Sequence, residues 1–306
     1  MQTSLSVPRP LGLETVRKDA MAGVITGMMA IPSTIGICLL SDYPIQTGLV
    51  TVVFACIVSF ITYLFRVGNY NGVPGVAAGL APLLALGVHT FGMANMPFLI
   101  FLTAVMQAII WKFDWQKYVQ KAIPAYLVEG LLAGIGLKVV VKFLPYTYAT
   151  THASAAWLDH ERILLLLASA TTLIVFLVLY SKYKSKNPAI PYMTAIGLGV
   201  FLAFYTPAPK LHIEPVSIGL ALPFPNWDLI TPELGLKMFG FALVVASVDV
   251  IEQVMSNVAI GKLDPLHRPV NSRNSLFAIW LSNLGSSFFG GMTNLDGLQM
   301  SSTNII

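Results

Sequence analysis

Asn69-Tyr70-Asn71-Gly72-Val73-Pro74-Gly75 opens the third of a series of apolar runs, and its reading decides the fold. A helix cannot begin before Pro74, because proline disfavours helical geometry in the residue ahead of it. The apolar stretch that remains, to Val88, is too short to cross a bilayer as helix alone. A half-helix preceded by extended backbone is the consequence. The same grammar returns near the end of the chain in Gly290-Gly291-Met292-Thr293-Asn294-Leu295-Asp296-Gly297, again beside an apolar helix. Non-helical backbone at membrane depth is tolerated only where protein buries it or it lines a cavity, and two such breaks in corresponding places point to a transporter site. Two helix starts facing one another there would offer free N–H groups and positive dipole ends to an anionic or electron-rich ligand. Glycines that merely mark loop turns are the competing reading.

The composition agrees with lipid as the solvent. Of the 306 residues, 56% are hydrophobic and 10% charged, against about 25% charged in ordinary globular chains. The net charge of +4 comes from basic residues scattered over short loops, so no nucleic-acid patch forms. Cys38 and Cys56 lie in apolar runs without metal-ligand spacing and are expected to be buried without a redox role. The first nineteen residues contain Pro8, Arg9, Pro10, Glu14, Arg17 and Lys18 and lack the short apolar core of a removable signal peptide.

Hydropathy predicts helices at 19–40, 48–65, 74–88, 96–113, 120–144, 162–181, 188–206, 231–261 and 272–290, with a tenth starting near Gly297. Thr231-Pro232 and Asn187-Pro188 read as helix starts. With the amino terminus cytoplasmic, 13 of the 18 Lys and Arg residues fall on the inner side, Arg66, Lys112 and Arg273 among them, and five on the outer. That asymmetry supports this orientation, and an inner (plasma) membrane is the expected location. Trp157, Trp227, Tyr146 and Tyr148 in the outer loops read as interface anchors.

Four acids stand in or beside these runs: Glu129, Asp249, Glu252 and Asp296. An acid at the bilayer centre costs at least ~2.5 kcal/mol, so it normally faces a cavity and handles ions or substrate. On the eighth helix Asp249, Glu252 and Ser256 fall at i, i+3 and i+7, a polar stripe suited to Na+ coordination by hard oxygens or to carrying a proton. Interhelical hydrogen bonding is the plainer alternative. Glu129 lies among Gly130, Gly134 and Gly136, a small-residue face expected to seat a neighbouring helix. The five histidines fall in loops or at helix ends, with no metalloprotease or nucleophile motif at membrane depth, so an intramembrane enzyme is disfavoured.

Several motifs together carry a family likeness. Asp19-Ala20-Met21-Ala22-Gly23, Ile31-Pro32-Ser33, Gly48-Leu49 and Gly72-Val73-Pro74, then Val250-Ile251-Glu252-Gln253-Val254-Met255-Ser256, Asn271-Ser272-Arg273-Asn274-Ser275-Leu276, Asn283, Phe289-Gly290-Gly291 and Asn304, resemble the sulfate permease family of anion transporters in order along the chain. The resemblance implies an all-α membrane protein with a 7+7 inverted-repeat fold whose second repeat is incomplete here, and short strands before helices 3 and 10. It implies a core domain from residues 1–117 and 229–306 and a gate domain from 118–228, with the first and last groups packed as one bundle. It places substrate against Val73, Pro74, Gly75, Gly297 and Leu298, with Ser33 beside them, and cation or proton coupling at Glu252 and Ser256; the polar stripe adds Asp249 to the coupling set, the acid Asp296 is expected to join it, and Gln299 falls near the helix-10 position that nucleobase permeases of the same architecture use. A bound Na+ at Glu252 and Ser256, or H+, is the expected coupling ion, with no other cofactor.

Two departures bear on substrate. Thr293 and Met300 stand where many members carry proline and arginine, and Asp296 occupies a position usually small and uncharged. Losing a fixed cation beside a new carboxylate favours a small monovalent or inorganic anion bound together with Na+ or H+. The nucleobase permeases of the same architecture are the alternative. The expected partners are a small inorganic anion, the lipid bilayer and a second copy of the chain in a homodimer, with no nucleic acid. Because Ser301-Ser302-Thr303-Asn304 only enters the tenth helix, the sequence is expected to be a piece of a longer product, which in this family often continues into a cytoplasmic STAS domain.

Overall fold

The computed structural model describes residues 13–65, 72–122, 159–183, 189–206, 219–220, 222–225, 231–264, 270–298 and 300–301, with scattered positions between 126 and 147. In chain order the elements are α1 (Leu13–Ser41), α2 (Ile45–Leu64), β1 (Pro74–Val76), α3 (Ala81–Phe91), α4 (Met96–Lys112), α5 (Gln116–Ala122), α6 (His160–Tyr183), α7 (Ala189–Ala203), α8 (Pro232–Leu263), α9 (Ser272–Ser287) and β2 (Asn294–Asp296). Glu129, Gly136, Tyr146, Tyr148, Trp157, Asn187-Pro188, Trp227 and Gln299 lie outside the described residues.

Local chemistry accounts for the boundaries. Pro232 opens α8 behind Thr231, whose hydroxyl accepts the Leu234 N–H at 3.2 Å, satisfying one donor of the first turn. Asn271 caps α9 by accepting from the N–H groups of Arg273 and Asn274, both at 3.1 Å. The run expected to be helical from 74 to 88 is different: residues 74–76 form a strand and the helix begins only at Ala81. Pro74 has no N–H for a helix and Val76 is β-branched, so the extended form is the easier one once a partner strand is present. At the other break α9 stops at Ser287, short of the expected residue 290, where Gly290 adopts φ +70° and the Gly291 N–H turns back onto the Ser286 carbonyl at 2.8 Å.

The chain divides into two compact units, Met1–Gly130 with Pro215–Ile305, and Leu131–Glu214 with Ile306. In the second, α6 and α7 pack on each other, with Phe176 5.2 Å from Tyr192 and 5.6 Å from Tyr180 between ring centroids. In the first, α4 packs against both α8 and α9, α9 also meets α2, and α1 meets α2 and α3. Val250, Val254 and Leu276 form a dry centre with Ile110 and Trp111. Trp111 lies 5.1 Å from Phe277 and 5.9 Å from Trp280, and the Arg273 guanidinium sits 5.6 Å over its ring.

Among the described residues five helices are long and apolar enough to cross a membrane by length and composition: Asp19–Ser41, Ile45–Leu64, Met93–Lys112, His160–Tyr183 and Pro232–Lys262. Their outer faces carry exposed Phe60, Leu64, Leu173, Ile174 and Leu236, which lipid solvates as readily as a protein core would. Cys38 is buried as expected. Cys56, expected to be buried too, is exposed on α2 alongside Val53 and Phe60, because an apolar membrane helix needs no polar outer face to mark it. Gly130 and Gly134 are exposed, with no described atom within 4 Å of where a Cβ would stand.

Gly285 is where α9 and α2 need a glycine. A Cβ there would stand 2.0 Å from Phe54 Cε1 and 2.2 Å from Cζ. Gly285→Val should therefore overpack the contact and cost ~1–3 kcal/mol, read as a lower melting temperature in detergent. An unchanged melting temperature would mean that Phe54 swings aside freely.

Candidate functional site

The two breaks meet. β1 and β2 pair antiparallel, with Pro74 opposite Asp296, Gly75 opposite Leu295 and Val76 opposite Asn294. The pairing is extended by the Ala77 N–H to the Thr293 carbonyl at 3.2 Å and the Gly297 N–H to the Val73 carbonyl at 2.9 Å. Each strand leads into helical backbone, α3 after β1 and residues 298, 300 and 301 after β2. The Ser301 hydroxyl ties the two together: it accepts the Val73 N–H at 2.9 Å and donates to the Gly297 carbonyl at 2.6 Å.

The expected stripe on α8 does reach this crossing, but its members go to different places. Glu252 Oε1 accepts the Gly79 N–H at 3.0 Å, just before α3 begins. Its other oxygen, Oε2, is buried without a hydrogen-bond partner among the described residues. The carboxylate lies so close to the backbone that a Cβ on Gly79 would be 2.6 Å from Oε2 and 2.7 Å from Cδ. An anionic group at a helix start gains from the free N–H groups and the dipole, so α3 offers Glu252 what it would otherwise offer a bound anion.

Asp249, one turn earlier, points into the protein between α4 and α9. It is wholly buried. Its Oδ2 accepts from Gln107 Nε2 at 2.6 Å and Asn283 Nδ2 at 3.2 Å. Asn283 Nδ2 also reaches Gln107 Oε1 at 2.9 Å, and Asn283 Oδ1 accepts both the N–H and the Nδ2 of Asn294 on β2, at 2.8 and 2.7 Å.

Asp296 is gripped from α8 and α9. Gln253 accepts the Asp296 N–H through Oε1 at 2.8 Å and donates Nε2 to Asp296 Oδ2 at 2.7 Å. The Ser275 hydroxyl donates to the same Oδ2 at 2.6 Å, and Gln253 Nε2 also meets Ser275 Oγ in a short contact. Ser256, the last member of the stripe, donates to the Asp296 carbonyl through a short hydrogen bond. Gly72 closes over this carboxylate, since a Cβ there would be 2.4 Å from Asp296 Cγ.

Of the backbone expected to face substrate, Pro74 and Gly75 are buried and Val73, Gly297 and Leu298 half-buried at the crossing. Met300 packs its thioether on Gly75: a Cβ there would be 2.9 Å from Met300 Cε. Ser33 is half-buried on α1, and no described hydrogen bond joins it to the crossing. The residues that a sequence reading passes over are Gly79 and Gln107 and, as site residues, Gln253, Ser275 and Asn283. A glutamine in the middle of an apolar helix was the available signal for Gln107 and Gln253, whereas nothing marks Gly79 apart from the other small residues around it.

The arrangement is a pair of crossed strands, each feeding a helix start, with an acid from a long helix set against one of them. A family model described as "Sulfate permease family" matches residues 16–306. The chain belongs to the sulfate permease family. A curated relative, YvdB of Bacillus subtilis (strain 168), a sulfate transporter by inference, is 23% identical over 309 residues, covering 96% of this chain and 56% of that protein. The chain thus spans a little over half the length of the curated relative it matches.

Two solved transporters share the fold. The transmembrane domain of a cyanobacterium bicarbonate transporter, BicA, superposes with a TM-score of 0.67 at 19% identity, over 96% of this chain and 77% of that one. The murine Solute Carrier 26 family member A9 anion transporter, in its inward-facing state, matches with a TM-score of 0.67 at 18% identity, over 98% of this chain and 54% of that one. The helical fold with short strands expected from the motifs is therefore that of this sulfate permease chain, an integral membrane protein whose family is one of permeases rather than enzymes.

Proposed function

We propose that this chain forms the membrane part of a secondary active transporter that moves a small inorganic anion, of the sulfate or bicarbonate kind, by alternating access coupled to Na+ or H+. One observation carries the reading: Glu252 occupies the start of α3 with one carboxylate oxygen on the Gly79 N–H and the other buried and, among the described residues, without a hydrogen bond. A second anion brought to the strand crossing meets this charge at low dielectric, where like charges repel strongly. Neutralising Glu252 with a proton, or with Na+ held between its free oxygen and nearby oxygens such as Ser256 Oγ, reverses the local sign and lets the anion bind. Coupling then follows from charge balance. The substrate would lie against Val73, Pro74 and Gly75 and against Gly297 and Leu298, with Ser33 and Gln299 completing its surroundings.

In this proposal residues 1–117 and 229–306 form the core and 118–228 the gate. The separate compactness of Leu131–Glu214 supports a moving gate. The amino terminus faces the cytoplasm of an inner (plasma) membrane, as the distribution of basic residues supports.

Uptake into vesicles that carry the full-length protein tests this. Labelled sulfate or bicarbonate should accumulate, and accumulation should rise with an inward Na+ gradient or with outside acidification. Displacement of the label by uracil or xanthine, with sulfate and bicarbonate inert, would replace the anion reading with a nucleobase permease.

A further inference from the structure

Of Asp249, Glu252 and Asp296, Glu252 takes a backbone N–H just before α3, whereas the other two are bound by side-chain amides, Asp249 through Oδ2 alone; among the described residues Asp249 Oδ1 and Glu252 Oε2 have no hydrogen-bond partner. β2 is three residues long, and alternation puts Asn294 and Asp296 on one face with Leu295 on the other. Both polar residues are held. At one end the Asn294 N–H and Nδ2 end on Asn283 Oδ1, and Asn283 in turn donates to Gln107 Oε1 and Asp249 Oδ2. At the other end the Asp296 N–H and Oδ2 close a two-point clasp with Gln253, and Ser275 adds a second donor to Oδ2.

The donor and acceptor order leaves no freedom. Asn283 must offer its oxygen to Asn294, so its NH2 faces α4 and α8 and needs an acceptor there, which Asp249 supplies. Gln253 must offer its oxygen to the Asp296 N–H, so its NH2 needs the Asp296 carboxylate. Gln107, Asp249, Gln253, Ser275, Asn283 and Asn294 are at most 1% exposed and Asp296 is 5% exposed, and in such surroundings an unmatched amide is costly.

We infer that Asp249 and Asp296 are positioning residues, acceptors that pin the two ends of β2 to α8, α9 and α4 and so hold the strand crossing in register, while coupling is left to Glu252. The inference rests on the proposed transport reading for its kinetic test and on the hydrogen-bond geometry alone for its structural one. An acceptor role and an ion-carrying role make opposite demands on the same substitution. Asparagine keeps an acceptor oxygen but carries no charge; alanine keeps neither.

The experiment compares Asp296→Asn, Asp296→Ala and Gln253→Leu in the full-length protein. In vesicle uptake of sulfate and bicarbonate, Asp296→Ala and Gln253→Leu should raise the KM on the order of tenfold with the accumulation ratio still answering to Na+ or pH, and the double variant should be no worse than either single one. Asp296→Asn should restore the KM. Hydrogen exchange of the 292–298 segment in nanodiscs gives a readout independent of transport: faster exchange in Asp296→Ala and Gln253→Leu, parental protection in Asp296→Asn. If Asp296→Asn loses accumulation while passive exchange persists, Asp296 carries the coupling ion and the inference fails. It fails equally if Asp296→Ala leaves both exchange protection and KM unchanged. Failure of the transport reading is distinct: no uptake in the parent protein, with the exchange pattern still as described.

Discussion

Glu252→Gln is expected to collapse accumulation in the full-length protein, bringing the inside-to-outside ratio of the anion to about one, while membrane insertion and passive exchange of labelled anion persist. The amide keeps the size of the side chain and can still accept the Gly79 N–H that now meets Oε1 at 3.0 Å. It cannot take up a proton or compensate Na+. With the charge permanently absent, an anion no longer needs a companion to approach the crossing, so binding should become insensitive to Na+ and to pH. Uptake measured with and without an imposed gradient checks this, and unchanged concentrative uptake would remove Glu252 from the coupling mechanism. The same measurement on Asp296→Asn provides the contrast, since a residue that only positions β2 tolerates the neutral acceptor.

Gly79→Ala should give the second large effect through a single methyl group. The added Cβ would stand 2.6 Å from Glu252 Oε2 and 2.8 Å from Oε1, well inside van der Waals contact. The obstacle is the far end of a flexible side chain, so the fold can survive by moving the carboxylate off the α3 start. What is lost is a hydrogen bond to a charged group, worth ~1.5–3 kcal/mol, together with the favourable helix-end field. The concentration of coupling ion needed for half-maximal uptake should therefore shift about tenfold or more, with protein yield and melting temperature near those of the parent. A variant that transports normally would show that Glu252 works equally well away from Gly79. A variant that fails to insert would show instead that the close approach is needed for folding, and the more conservative Glu252→Asp, which shortens the reach to Gly79 without adding bulk, would then report the same coupling shift.

Much of this architecture is written in local sequence. Run length and apolarity mark the crossing helices, because a bilayer demands internally satisfied backbone of a given length. Thr231-Pro232 acts as a helix start in the structure as its residues lead one to expect, and Asn271 caps α9 in the same way. The breaks at residues 72–75 and 290–297 are legible because proline and paired glycines interrupt runs that would otherwise remain helical. Less was legible at their edges. Whether residues 74–76 would extend or coil depended on a partner more than two hundred positions away, since a strand of three residues has no stability of its own.

The acids divide in the same way. Sequence alone placed Asp249, Glu252 and Asp296 in or beside apolar runs and put Asp249, Glu252 and Ser256 on one helix flank, since helical periodicity needs no knowledge of neighbours. Only the tertiary structure decided which of them finds a partner. Asp249 meets the side-chain amides of Gln107 and Asn283, Asp296 meets Gln253 and Ser275, and Glu252 meets the Gly79 backbone; among the described residues Asp249 and Glu252 each keep one oxygen without a hydrogen bond. The physical reason is that a buried carboxylate takes its role from the donors within about 3 Å of it, and those donors come from helices far apart in the chain whose approach is set by packing rather than by any local pattern.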